Sequence, residues 1–169
     1  MDKSPFIEHL REEKLKAQET RSTYTQKKLA YVTTLFGLGL GSISIAQFDL
    51  RLILYLVPFI ATAFDLYILA EDYSVKRIGA FLGAHAADQV EKKWEAWVAE
   101  NRDPFALVAM PILSTLLLAG AALTIWATSN RNVSAAFWVW LGAAGLPNWL
   151  LFVLYQRLRD RIPNRIEAD

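Results

Sequence analysis

The chain has no cysteine. That removes disulfides, thiolate metal sites and cysteine nucleophiles, and leaves the redox compartment open. Histidine is nearly as scarce: His9 and His85 stand far apart, and both lie outside the apolar runs. HExxH, GxSxG and P-loop patterns are missing, as is a pair of carboxylates inside one apolar run. Hydrolases and transferases that work in a membrane need clustered nucleophiles, bases or metal ligands. The chain is therefore not expected to be an enzyme, and no cofactor or metal is expected. An excess of one charge is lacking too, since 18 Lys and Arg face 17 Asp and Glu. Bulk charge thus names no partner. A mixed-charge segment, rather than a short basic leader, precedes the first apolar run near Leu29, so no cleaved signal is expected.

What the sequence does have is apolar length. Of 169 residues, 54% are hydrophobic, and the mean hydropathy is +0.22. Four runs each approach the ~20 residues that a helix needs to cross a bilayer. They are Leu29–Ala46, Leu52–Leu69, Leu107–Thr128 and Val133–Tyr155. Lipid cannot satisfy an open backbone, so a helix is the expected state of each. The expected fold is all-α: an integral membrane protein of four transmembrane helices with cytoplasmic helical extensions. Residues 1–28 form an N-terminal helix, 29–71 a transmembrane hairpin, 72–106 a central helical segment, 107–155 a second hairpin and 156–169 a tail. Sixteen Lys and Arg fall in the N-terminal, central and tail segments, against Arg51 and Arg131 in the two short loops. By the positive-inside rule both termini and the centre are cytoplasmic.

The cytoplasmic segments read as helices. Ser4-Pro5 has the chemistry of a cap and first turn. No Gly or Pro follows until Gly37, so the N-terminal helix can run unbroken into the first span. It is either a solvated stalk or a stalk that packs on copies of itself or on the centre. In the centre, a break is expected near Gly83, and Asn101 and Pro104 end a second helix. On that helix Val90, Trp94, Trp97 and Val98 share one face. Two settings suit that face: the membrane interface, or packing against the stalk.

Three features carry the functional argument. Asp65 lies inside "LVPFIATAFDLYILAED", about 9 Å from the acidic end of that run. An ionisable group there faces protein or water. It either pairs with Lys28 or Arg77, or attracts cations at a pore mouth. Thr33, Gly37, Gly41 and Ser44 recur at helical spacing as a face of small or polar residues. Such a face permits close helix approach within the chain, or lines an axis between copies. Arg11, Lys14, Arg21, Lys76 and Arg77 are candidate contacts for an anionic cytoplasmic ligand such as a nucleotide or oligonucleotide, or for anionic lipid. Pro58, Pro111 and the Pro147-Asn148 pair read as kinks with packing roles.

The stretch "DLYILAEDYSVKRIGAFL", followed by "EKKWEAW", resembles a pattern in small uncharacterised bacterial membrane proteins. The matching positions are Asp65, Lys76, Arg77, Ile78, Gly79, Trp94 and Glu95. By architecture alone the chain also resembles membrane effectors of anti-phage defence, such as the Hailong effector. That resemblance implies an oligomeric inner-membrane ion channel, held shut by a cytoplasmic nucleotide-derived ligand and opened to depolarise the cell. The expectation is accordingly an oligomeric channel or pore-forming effector gated by cytoplasmic helices, in contact with the lipid bilayer and with copies of itself. The alternative is a non-conducting scaffold or accessory subunit whose cytoplasmic helices bind a partner protein. A small transporter comes third.

Overall fold

The computed structural model describes residues 4–40, 44–45, 48–85, 88–101, 104–129 and 134–162. The first helix, α1 (Ser4–Leu40), is 37 residues long, or ~55 Å. Stalk and apolar segment are therefore one helix. Helix formers dominate it, and its first glycine is Gly37. The end at Leu40 is earlier than the expected Ala46. Gly37, Gly39 and Gly41 crowd that end, and each glycine costs a helix about 1 kcal/mol relative to alanine. Beyond it the chain turns in a short hairpin. Strand β1 (Ser44–Ile45) pairs antiparallel with β2 (Phe48–Asp49), with Ser44 opposite Asp49 and Ile45 opposite Phe48.

A 3-10 turn, Leu50–Tyr55, leads into α2 (Val57–His85). Pro58 sits in the first turn of α2, where a missing N–H costs little. Helix α3 (Gln89–Glu100) follows. The Asp88 side chain caps its start by accepting from the Val90 N–H at 2.8 Å. Its end is closed by Asn101, whose backbone N–H and side-chain amide both donate to the Trp97 carbonyl. Helices α4 (Pro104–Thr128) and α5 (Ala135–Arg159) complete the chain.

Helix α2 is the hub, touching α1, α3, α4 and α5. The core lies at the hairpin end. Leu54, Ala121, Ile125 and Phe137 are buried together, with Phe36, Tyr55 and Trp140 packed around them. The Trp140 indole donates to the Tyr55 carbonyl at 2.9 Å. One turn away, Val32, Val57 and Ala61 form a second buried group.

Elsewhere the apolar surface points outward. Among the described residues, three helices are long and apolar enough to cross a membrane: Leu52–His85, Ala109–Thr128 and Ala135–Arg159. No more than 33% of the most apolar window of any of them is buried, the reverse of a soluble fold and the pattern of a helix that meets lipid. The expected first span differs. Its helical part, Leu29–Leu40, is only ~18 Å long.

Candidate functional site: a ladder of ion pairs

Lys14, Arg21 and Lys28 lie seven residues apart on α1. Seven residues is nearly two turns, so the three cations form one stripe. Asp65 and Asp72 are also seven apart on α2, and the next position in that series is Gly79. The two helices run antiparallel, and the stripes meet as rungs.

The deepest rung joins α1, α2 and α4. The Lys28 ammonium donates to Asp65 Oδ1 at 2.6 Å and to the Ser114 hydroxyl at 2.7 Å. Ser114 in turn donates to the other oxygen, Oδ2, of Asp65. The side chains of Lys28 and Asp65 are each 3% exposed. A charge so deep needs both a counter-ion and hydrogen bonds, and this rung supplies them. Of the two cations expected near Asp65, Lys28 is the partner. Both carboxylate oxygens are taken, so Asp65 does not face an open path within the protomer.

The middle rung joins α1, α2 and α5. Arg21 and Lys76 both donate to the Asp72 carboxylate. The Tyr155 hydroxyl donates to the same group. The Lys76 ammonium also donates to that hydroxyl and lies 5.0 Å from the ring centroid, close enough for a cation–π attraction.

The outer rung takes its acid from a third helix. Gly79 has no side chain, and Glu95 of α3 fills the space and accepts from Lys14. A Cβ on Gly79 would lie 2.7 Å from Glu95 Oε2, so glycine is what lets α3 come this close. Beyond it, Arg11 forks onto Glu91 with bonds of 2.9 and 2.7 Å, and reaches Glu8 at 2.8 Å. Hydrogen bonding from Arg11 holds the Glu91 carboxyl below its usual range, and the same bond raises the Arg11 guanidinium further above its own.

Helix α3 has no buried residue; polar groups seat it on the stalk. This gives a pH dependence with a definite sign. A carboxyl lowered on docking contributes stability above its free value of 4.5, lost as pH falls through the docked value. The protection of α3 amides, taken as exchange relative to the intrinsic rate at each pH, is expected to be high at pH 7 and to fall below pH ~4. Protection that persists to pH 2 would mean that the acids do not hold α3.

The structure places the other expected residues as follows. Arg11, Lys14, Arg21 and Lys76 are committed to carboxylates of the chain itself. Arg77 is exposed and lines a shallow hollow of about 210 Å³ with Phe6, Leu10, Glu13, Ile78 and Phe81. Thr33 and Gly37 are exposed on α1, and nothing lies within 4 Å of a Cβ built on Gly37. Gly41 lies outside the described residues. Ser44 belongs to β1 and has left the helix, so the expected four-residue helical face is corrected to Thr33 and Gly37 among the described residues. Between the two described glycines of α1, it is Gly39 that packs inside the protomer, where a Cβ would lie 2.6 Å from Leu54. Val90, Trp94, Trp97 and Val98 do share a face, and all four are exposed. Asn148 is buried and donates to the Pro111 carbonyl at 3.3 Å, a packing role next to Pro147. Among the described residues no cluster of His, Asp or Glu could hold a metal.

Reading the sequence for Asp65 alone missed Ser114, Asp72, Tyr155, Glu91 and Glu95. The seven-residue spacing of 14, 21 and 28 against 65 and 72 was the available signal. No family model, curated protein or solved structure matches the chain.

Proposed function

We propose that the chain is a four-span subunit of an oligomeric ion channel, with α1 turned toward the axis and toward neighbouring copies. The observation that carries this reading is the open face of α1 at membrane depth. Thr33 and Gly37 are exposed and unpacked there, while the opposite side, with Lys28, Val32 and Gly39, is buried. A small, polar face turned to lipid gains nothing. Turned to a copy of itself it allows close approach and offers hydroxyls to a wet path. A shared level supports a fourth crossing. From Lys28, α1 continues ~18 Å to Leu40; from the paired Asp65, α2 and the 3-10 turn cover ~24 Å back to Leu50. Both arms of the hairpin thus reach a similar depth. Charge asymmetry supports cytoplasmic termini and a cytoplasmic α3, and the membrane on this reading is a bacterial inner membrane.

The sealed Asp65 rung keeps the ion path between protomers rather than within one. The gate is the cytoplasmic layer of α1, the end of α2, and α3. An anionic cytoplasmic ligand, a nucleotide or oligonucleotide, would act there by competing with Glu91 and Glu95 for Arg11 and Lys14. Opening would depolarise the membrane. The exposed stripe of α3 favours the second reading, a scaffold that docks a partner protein.

The test is mass and ion flux of the purified protein in lipid particles and liposomes, wild type against Gly37→Leu. The wild type is expected to be oligomeric and to pass ions. Gly37→Leu is expected to weaken self-association roughly tenfold, the equivalent of ~1.4 kcal/mol, and to cut flux while the protomer keeps its thermal stability. A monomeric, non-conducting wild type would favour the scaffold.

A further inference from the structure

Helix α3 spends its polar side on α1 and α2 and leaves Val90, Trp94, Trp97 and Val98 uncovered, with exposures of 73, 58, 53 and 39%. The two indoles stack at 5.5 Å between centroids, which joins them in one apolar plate. Together the four side chains form one exposed apolar patch, of a kind that is often functional.

Height decides what covers it. Glu95 pairs with Lys14, and Lys14 lies ~21 Å along α1 from Lys28. With the hydrocarbon edge of the four-span reading set at Glu71, six residues from Asp65, the Lys28–Asp65 rung lies ~9 Å inside it. Trp94 and Trp97, on either side of Glu95, are therefore ~12 Å outside the hydrocarbon, beyond a headgroup layer of about 5–7 Å. The plate stands above the lipid, in the cytoplasm.

A second copy fits it. Rotation about an axis normal to the membrane keeps every residue at its own height. The residues of a neighbouring α1 at the height of Glu95 are those around Lys14. There the outward side of α1 shows Leu15, 65% exposed, between Glu12 and Glu19. The three share a helical face with Glu8, and further down with Thr33 and Gly37. The rim of the plate carries Lys93, also exposed. The same edge carries Glu100 one heptad on, and it is Lys93 that stands level with an apolar residue between two acids.

We infer that α3 of one copy seats Trp94 and Trp97 on Leu15 of the next copy's stalk, with Lys93 facing Glu12 and Glu19. The contact joins two different surfaces, so repetition closes a ring rather than a two-fold pair. It rests on the oligomeric reading above and names the cytoplasmic half of that contact.

The natural chain is free of cysteine, so single cysteines report cleanly. Chains carrying Leu15→Cys and chains carrying Trp97→Cys, with different tags, are co-expressed full length and oxidised in native membranes. The mixed pair is expected to cross-link several-fold more than either variant alone. The mass of unoxidised samples in lipid particles is measured in parallel. An oligomer without the mixed cross-link overturns the inference and leaves the oligomeric reading standing. A monomer overturns both. Predominant Trp97→Cys pairing with itself replaces the ring contact with a two-fold one. A spin label at Trp97→Cys that meets oxygen but not a polar nickel chelate would assign the plate to lipid and also sink the inference.

Discussion

Asp65→Asn is expected to destabilise the protomer by about 3–5 kcal/mol. The amide keeps the shape of the carboxylate and removes its charge. The Lys28 ammonium, 3% exposed at its side chain, is then left with a hydroxyl and an amide where an ion stood. Lys28→Met alone is expected to cost a similar amount, because Asp65 then keeps only Ser114. The double change Lys28→Met with Asp65→Leu is expected to recover most of the loss, since it removes both desolvation costs together and Ser114 can turn to a backbone carbonyl one turn back. Unfolding in detergent, followed by circular dichroism, of wild type, Lys28→Met, Asp65→Leu and the double variant closes a double-mutant cycle. A coupling below ~1 kcal/mol would show that Lys28 reaches water and that the rung is not dry.

Gly39→Val is expected to cost about 1–3 kcal/mol by overpacking, whereas Gly37→Leu leaves protomer stability within ~0.5 kcal/mol. The two positions are two residues apart in the same glycine-rich stretch, so on a helix they face differently. A Cβ at 39 lies 2.6 Å from both Cγ and Cδ2 of Leu54. Leu54 is 0% exposed among Ala121, Ile125 and Phe137, so it cannot swing aside without moving α4 and α5. Leu54→Ala is a cavity mutation on its own, and combined with Gly39→Val it is expected to restore part of the loss. Thermal unfolding of the four proteins reads this directly. An unaffected Gly39→Val would mean that α1 stands off from the 3-10 turn.

The helices were legible from the sequence because their signals are local. Apolar run length, Asn101, Pro104 and the absence of glycine before Gly37 each act within a turn or two. The end of α1 was less legible, because hydropathy stays high through Ile43 and Ile45 while helix propensity fails at the glycines. The ladder was half legible. Asp65 stands out as a carboxylate in an apolar run, and Lys28 was one of two partners considered. Lys14 and Arg21 were absorbed into the count of positive charges, which hid their spacing. Taken as a ruler, 14, 21 and 28 mark the buried side of α1, and Val32, Leu35 and Gly39 continue it. The same ruler sets Gly37 and Thr33 on the open side. Glu91 and Glu95 were out of reach, because nothing local says that α3 will cross over Gly79.

The equal spacing of the rungs has a mechanical consequence. Two stripes with one period match again after a slip of seven residues, ~10.5 Å along the helix. Here a slip in either direction orphans a charge. If α1 advances, Lys28 moves past the last acid of α2; if it withdraws, Asp65 stays behind without a cation. Both are among the most expensive states that a bilayer offers. The ladder therefore acts as a vernier: it holds α1 and α2 to one axial register while leaving them free to tilt or turn about the deepest rung. Motion that begins at α3 would reach the membrane as rotation of the stalk rather than as a piston stroke.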